Sequence, residues 1–162
     1  MKIGVISDSH DRIENLRKAI EIMEKEGVAE LIHCGDFTAP FMLKELEKFP
    51  GNVHCVFGNI NDEYRSTKVA ENSENLNLYG KDFEIEINDK NIGAVHFPKM
   101  ARFMALSGEF DIVFYGHSHD KKKEEIKGTF LVNPGELMGR KGKPGFAIYD
   151  TKENKIEFKG IE

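Results

Sequence analysis

Short apolar segments in this chain repeatedly end in residues that can bind a metal ion. The first spans residues 3–6 and is followed by Asp8 and His10. Four later apolar segments end in the same way, and the polar residues that follow them are Asp36, Asn59, His96, and the pair His117 and His119. Short apolar runs bounded by Gly, Asn or Asp are typical of buried strands. Because ligands of α/β proteins collect beyond the carboxyl ends of the strands, the pattern predicts an α/β fold with these side chains at one sheet edge.

Helical patterns separate the first strands. Residues 13–23 carry one apolar face, Asp11 and Glu14 have the spacing of a capping box, and Gly27 is a plausible stop. Pro40 is expected at the start of a second helix. Residues 61–75 are predicted to form a loop with at most one helical turn, and residues 100–106 are predicted to form a short helix. The second half is mostly strand. This order favours an α/β or α+β sandwich in a single domain spanning residues 1–162.

Composition narrows the class of protein further. The 162 residues carry a net charge of −5 and have a pI near 5.7, which argues against a broad basic face for nucleic acid. No run approaches the length of a membrane span, and the N-terminus reads as a buried strand rather than a signal peptide, so we expect a cytoplasmic protein. Cys34 and Cys55 are expected to be reduced thiols.

Each polar residue taken alone has a structural explanation, such as a turn or a hydrogen-bonded histidine. Together, two carboxylates, one amide and four imidazoles match the donors that two hard divalent cations require. His33 and His54 lie within predicted strands and are interpreted as structural.

The same motifs resemble the calcineurin-like metallophosphoesterase superfamily. The matching segments cover nearly the whole chain and are Asp8-x-His10, Gly35-Asp36, Gly58-Asn59, His96, Gly116-His117-x-His119 and Asn133-Pro134-Gly135-Glu136. Among its members the chain is most similar to small bacterial and archaeal phosphodiesterases related to the retromer vacuolar-sorting subunit.

This resemblance implies a four-layer αββα sandwich of two mixed sheets and a dinuclear metal centre. The first metal would be held by Asp8, His10, Asp36 and His119. The second would be held by Asp36, Asn59, His96 and His117. Asp36 would bridge the two, and Asp36, Asn59 and His96 would also serve catalysis, in which a metal-activated hydroxide attacks phosphorus. Asn59 and Arg12 are the candidate substrate contacts, although Arg12 can equally be a solvated helix residue.

Several positions depart from the family pattern. Ile60 stands where larger members place a histidine, and the acidic residue of this loop, Asp62, lies one position later than in small phosphodiesterases. Without a general acid, we expect aryl diesters to be preferred over alkyl diesters. The segment 97–99, Phe-Pro-Lys, predicts a bulkier and more positive pocket wall. The lysine run 121–123 can steer anions or simply be solvated, and the stripe Phe103, Leu106 and Phe110 is interpreted as core.

The favoured function is a metal-dependent phosphodiesterase acting on a small organic or nucleotide phosphodiester. One alternative is a non-catalytic interaction scaffold like the retromer subunit, and another is a phosphomonoesterase or nucleotide pyrophosphatase on the same centre. Manganese is the expected metal, with nickel, iron, cobalt and zinc also compatible with the donors.

Overall fold

The computed structural model describes residues 1–162, which form eleven strands and four helices. In chain order these are β1 (Lys2–Ile6), α1 (Ile13–Lys25), β2 (Val28–His33), α2 (Pro40–Leu46), β3 (Asn52–Cys55), α3 (Glu63–Glu71), β4 (Leu76–Leu78), β5 (Asp82–Ile87), β6 (Lys90–Val95), α4 (Pro98–Ser107), β7 (Ile112–Phe114), β8 (Lys122–Ile126), β9 (Thr129–Asn133), β10 (Gly145–Asp150) and β11 (Lys155–Gly160).

The strands form two mixed sheets. The first has the order β11-β10-β1-β2-β3-β4, in which β1 to β4 are parallel. The second has the order β5-β6-β7-β9-β8, in which β6, β7 and β9 are parallel and the two edge strands are antiparallel. The sheets therefore contain seven parallel strands, and the predicted ligands lie in the loops that follow five of them, namely β1, β2, β3, β6 and β7.

Successive side chains of the central strands point to opposite faces of the sheet and so pack into two different layers. In β1, Val5 faces a cluster that also contains Ile112 and Phe114 of the second sheet, whereas Ile6 faces α1 and α2. Both faces of the strand are therefore buried, which is why it reads as an unbroken apolar run. Residues of α3 pack against the same outer cluster, and Ala101 of α4 packs on the opposite face of the second sheet. The predicted αββα sandwich is confirmed.

Three local expectations are wrong. Arg12, not Asp11, is the N-cap of α1, and no side chain caps that helix, so the predicted capping box does not form. The segment 61–75 contains the nine-residue α3 rather than a loop with at most one helical turn. Phe103 and Leu106 are exposed and only Phe110 is buried, so the core interpretation of this stripe fails at two of its three residues.

Two broader expectations concern the state of the cysteines and the presence of a membrane-spanning segment. Cys34 and Cys55 are buried free thiols, and burial raises the pKa of each. None of the four helices has the length and apolar character needed to cross a bilayer.

Candidate metal centre

The predicted ligands lie in loops at the carboxyl ends of β1, β2, β3, β6 and β7. Backbone hydrogen bonds join these loops: the Asp8 amide donates to the Gly35 carbonyl at 3.1 Å, and the His10 amide donates to the Asp36 carbonyl at 2.8 Å. In the second sheet the Gly116 amide donates to the His96 carbonyl at 3.0 Å. The loops are therefore fixed to one another rather than free to move independently.

Most of the predicted ligands have an unusual backbone conformation. Five of the seven have positive φ, and they are Asp8 (50°), His10 (46°), Asp36 (59°), His117 (67°) and His119 (66°). A non-glycine residue in this region costs on the order of 1–3 kcal/mol and is found where the surroundings enforce it, often at functional sites. These unfavourable backbone conformations orient the side chains towards the site.

Two glycines allow the loops to approach this closely. A Cβ at Gly58 would lie 2.1 Å from Oδ1 of Asp36, and a Cβ at Gly116 would lie 1.9 Å from Oγ of Ser7. The space that a side chain would fill lets the amides of Asn59 and Ile60 donate to Oδ1 of Asp36 at 2.7 and 2.8 Å. Oδ2 of Asp36 is left to face the site.

One group of donors surrounds Asp8. Its carboxylate is fully buried, and Oδ1 lies 3.3 Å from Nε2 of His119. The donor atoms of Asp8, His10 and His119 all lie within 4.8 Å of one another. Nε2 of His10 also lies 4.0 Å from Oδ2 of Asp36. These contacts bring together the four residues expected to hold the first metal.

A second group meets the first at Asp36. Oδ2 of Asp36 lies 3.5 Å from Nε2 of His96, and that nitrogen lies 3.2 Å from Oδ1 of Asn59. The same Asn59 oxygen lies 2.9 Å from Nδ1 of His117. Within this second group His96 is buried, whereas Asn59 and His117 are exposed and face the solvent from which a substrate would approach.

Hydrogen bonds on the outer side of two imidazoles determine which nitrogen faces the centre. Nδ1 of His96 lies 2.7 Å from the Cys34 carbonyl, which can only accept, so Nδ1 carries the proton and Nε2 offers a lone pair. Nδ1 of His119 contacts the carboxylate of Glu136, and Nε2 again faces inward.

The chemistry of the donor set fits divalent cations. Nε2 of His10 is buried and has no hydrogen-bond partner, an arrangement that is costly for a polar atom unless something is bound there. The inward nitrogens of His96 and His119 face the carboxylate oxygens of Asp36 and Asp8. Lone pairs that converge in this way repel one another without a proton or a cation between them.

Charge and burial shift the pKa values of these groups in opposite directions. Burial raises the pKa of Asp8. Burial alone would also raise the pKa of Asp36. The imidazole of His96 and the amides of Ile60 and Asn59 outweigh burial, so the pKa of this carboxyl is lowered. The pKa of His96 is raised because Asp36 overcomes the effect of burial. Asp36 is therefore ionised and available as a ligand over the whole neutral range.

Glu136 is a functional candidate to which the sequence reasoning assigned no role. It follows β9 and is 2% exposed; one carboxylate oxygen contacts His119 and the other accepts from the amides of Lys141 and Gly142. Its position after a predicted strand is the same signal that identified the other ligands.

Other predicted residues lie outside the cluster. Arg12 is exposed and its guanidinium makes no hydrogen bond or ion pair, so its substrate role stays a prediction. Asp62 caps α3 by accepting from the Arg65 amide at 3.1 Å. His54 contacts Glu30 and Tyr79, as befits a structural residue.

The rim beside the second group is apolar. The ring of Phe97 lies 5.1 Å from that of His96 and 5.0 Å from that of His117, and Ile60 is 44% exposed. The ammonium of Lys99 lies 5.9 Å from the centre of the Phe103 ring. The bulky wall expected from residues 97–99 is present, but the charge of Lys99 is directed along α4.

Comparison with known proteins places this geometry in context. Residues 1–154 match the family model of the calcineurin-like phosphoesterase superfamily domain. Phosphodiesterase MJ0936 of Methanocaldococcus jannaschii is 37% identical over 157 residues, covering 94% of this chain and 95% of that protein. A solved structure described as a novel archaeal phosphodiesterase matches with a TM-score of 0.92 and 33% identity, covering 99% of this chain and 100% of the other. Zinc-complexed Vps29 from Entamoeba histolytica matches with a TM-score of 0.70 at 15% identity, covering 99% of this chain and 98% of the other, and shares the fold.

Proposed function

The chain belongs to the calcineurin-like phosphoesterase superfamily, and on that premise we propose that it is a metal-dependent phosphodiesterase with a dinuclear centre. The observation that carries the proposal is the convergence of seven nitrogen and oxygen donors from five loops, with the buried Nε2 of His10 left without a partner. A protein that served only as a scaffold would have no chemical need for this arrangement.

Two overlapping sets of donors support two metal positions. Asp8, His10, Asp36 and His119 would hold one ion, and Asp36, Asn59, His96 and His117 would hold the other. Oδ2 of Asp36 lies between the imidazoles of His10 and His96, which supports its assignment as the bridge. The mixed imidazole, carboxylate and amide donors suit manganese, which we propose as the metal. When bound, such a pair of ions supplies Lewis acidity and a nucleophilic hydroxide at neutral pH.

Hydrogen bonds within the protein position these groups. The backbone amides of Asn59 and Ile60 fix Asp36, and the Cys34 carbonyl and Glu136 orient His96 and His119. Such outer contacts reduce the reorganisation that substrate binding would otherwise require. The exposed Asn59 provides a neutral contact for a phosphoryl oxygen beside the second set.

The apolar rim supports a small diester with a good leaving group as the substrate. The side chains of Ile60 and Phe97 offer no proton, and Asp62 is engaged as a helix cap. An alkoxide that leaves without protonation departs slowly, whereas an aryl oxide needs little help. We therefore propose activated organic or nucleotide phosphodiesters as the substrates that are hydrolysed fastest.

We further propose that residues 1–162 act as one domain. Asp8, Asp36 and Asn59 come from the first sheet, and His96 and His117 come from the second. Neither half of the chain holds the donor set by itself.

The test is hydrolysis of bis-p-nitrophenyl phosphate by protein stripped of metal, with and without added manganese. Asn59→Ala should lower turnover by about a hundredfold or more, because losing even a residue that only supports a ligand costs about 10- to 100-fold. Asn52→Ala is the matched control, since Asn52 is exposed at the opposite end of β3. Failure of manganese and the other divalent metals to restore turnover would favour the scaffold. Faster cleavage of p-nitrophenyl phosphate would favour a phosphomonoesterase.

A further inference from the structure

A polar cavity opens directly beside the first group of donors. It has a volume of about 280 Å³, and none of its lining residues is hydrophobic. His119 lines one side of it. Any group bound in this cavity would therefore adjoin the proposed site of hydrolysis.

Three lysines line the cavity, namely Lys121, Lys141 and Lys143, and none of them forms an ion pair with a carboxylate. The carboxylates that border it are those of Asp120 and Glu136. Both oxygens of Glu136 are already occupied by His119 and backbone amides. In a chain with a net charge of −5, this is a local excess of positive charge.

The structure separates the lysine run 121–123 into different environments. Lys122 pairs with Glu124 at 3.2 Å, and the ammonium of Lys123 lies 4.3 Å from the centre of the Phe130 ring. Lys121 alone faces the cavity. The run is therefore not a uniformly solvated charge patch.

Two of the cavity lysines have a defined path or partner. A Cβ at Gly135 would lie 2.7 Å from Cγ of Lys121, and a Cβ at Gly145 would lie 2.7 Å from its Nζ, so this side chain lies along backbone that only glycine leaves open. Nζ of Lys141 donates to the Ser118 carbonyl at 2.8 Å. The path of the Lys121 side chain along the two glycines brings its ammonium to the cavity.

We propose that this cavity is a subsite for a second phosphate group of the substrate. The inference rests on the proposed phosphodiesterase function and narrows its substrate class to small phosphodiesters that carry a further phosphate near the scissile group. Lys121 and Lys143 supply charge-assisted hydrogen bonds to that phosphate, while the metal centre acts on the diester.

The test uses two substrates that release the same p-nitrophenolate. One is thymidine 5′-(p-nitrophenyl phosphate), and the other is the same ester with an added 3′-phosphate. With manganese bound, kcat/KM should favour the second substrate by about tenfold, mainly through KM. Lys121→Gln and Lys143→Gln should each reduce that preference about three- to fivefold, the effect expected for one exposed charge contact. Lys122→Gln is the matched control and should leave the preference unchanged.

A binding measurement separates this inference from the proposed function. Inorganic pyrophosphate is titrated calorimetrically into the full chain without metal, and each cavity variant should weaken its binding about three- to fivefold relative to Lys122→Gln. Turnover of both substrates with equal preference in all variants would overturn the subsite and leave the phosphodiesterase standing. Pyrophosphate binding that depends on Lys121, in a protein that hydrolyses neither ester, would overturn the function and leave the anion site. Binding that is indifferent to all the substitutions would overturn the subsite.

Discussion

Glu136 contributes to the centre through His119 rather than by direct ligation. One of its oxygens accepts from the imidazole and the other from two backbone amides, so both must be acceptors. The pKa of Glu136 is lowered because these donors, led by His119, outweigh the opposing effect of burial. The carboxylate is therefore charged at neutral pH and holds the proton of His119 on the outer nitrogen.

Glu136→Gln tests this role. The amide must turn an N–H₂ group towards partners that themselves donate, so the orientation of His119 is lost. We expect manganese affinity to fall about 10- to 100-fold, as measured by chelator competition. Glu125→Gln, at an exposed position on β8, should bind metal as the unchanged protein does. Equal affinities for all three proteins would show that Glu136 is only a structural residue.

A second residue-scale prediction concerns Ile60, whose side chain is 44% exposed while its amide supports Asp36. Ile60→His adds a proton donor without removing that amide. Cleavage of the ethyl ester of thymidine 5′-monophosphate should rise about tenfold or more at pH 6, because general acid catalysis contributes about 10²–10⁴-fold. The gain should fall towards pH 8.5 as the imidazole, with an ordinary pKa of about 6.5, loses its proton.

The matched control for this prediction is Ile60→Asn, which is polar but has no proton to transfer. An equal gain in Ile60→Asn would show that polarity, not acid catalysis, limits the reaction. Cleavage of bis-p-nitrophenyl phosphate should change little in either variant, since its leaving group needs no protonation.

At the scale of elements, helix α3 engages Asp62, the acidic side chain of the loop after β3, as its N-cap. Asp62 accepts from the Arg65 amide and lies 3.6 Å from its guanidinium, so its carboxylate is directed at the helix N-terminus. Asp62→Ala should lower the free energy of unfolding by about 1 kcal/mol, as measured by urea denaturation, because the helix loses its N-cap. Aryl diester hydrolysis should be unchanged at temperatures where the variant is folded.

Glu63→Ala in the first turn of α3 serves as the control, because it removes a carboxylate without removing the cap. A large loss of activity in Asp62→Ala with no loss of stability would contradict the capping role. It would identify Asp62 as the missing acid.

The same helix shows where prediction from the sequence fails. Ser66 is the one buried residue of α3, so the helix has no apolar stripe for a periodic pattern to reveal. Its stability comes from the cap and from packing against α2, and the latter depends on tertiary contacts. The first strand was predictable for the opposite reason, since burial on both faces of β1 leaves a continuous apolar run over residues 3–6.

At the scale of the whole molecule, the site depends on how the two sheets are joined. The Leu137 and Met138 amides, from the loop after β9, donate to the carbonyls of Ser7 and Asp8 at 3.1 and 3.0 Å. Residue types at strand ends predict which side chains converge. The left-handed backbone at Asp8 or His119 could not be predicted in the same way, because it is enforced by loops distant in the sequence.

His33 lies beneath the junction of these loops and links the site to global stability. Nδ1 accepts from the Gly35 amide at 3.1 Å, so Nε2 carries the proton and donates to Ser9 at 2.9 Å. Burial lowers the pKa of His33 to about 3. The native protein therefore holds a neutral imidazole where the unfolded chain, with a pKa of about 6.5, takes up a proton.

This difference predicts loss of stability in acid. Because the folded-state pKa is lowered, the contribution of His33 is complete above pH 6.5 and declines as pH falls towards 3. Between pH 7 and pH 4.5 the metal-free protein should lose about 2 kcal/mol or more of unfolding free energy through this group. His33→Gln keeps an acceptor and a donor but cannot titrate, so its stability should depend less on pH by that amount. Urea denaturation of both proteins at pH 7, 5.5 and 4.5 measures this difference in pH dependence. The raised pKa of Asp8 affects the stability of both proteins equally, so it cancels in the comparison. Parallel stability profiles would show that His33 is protonated in the folded state or that the loops open before it titrates.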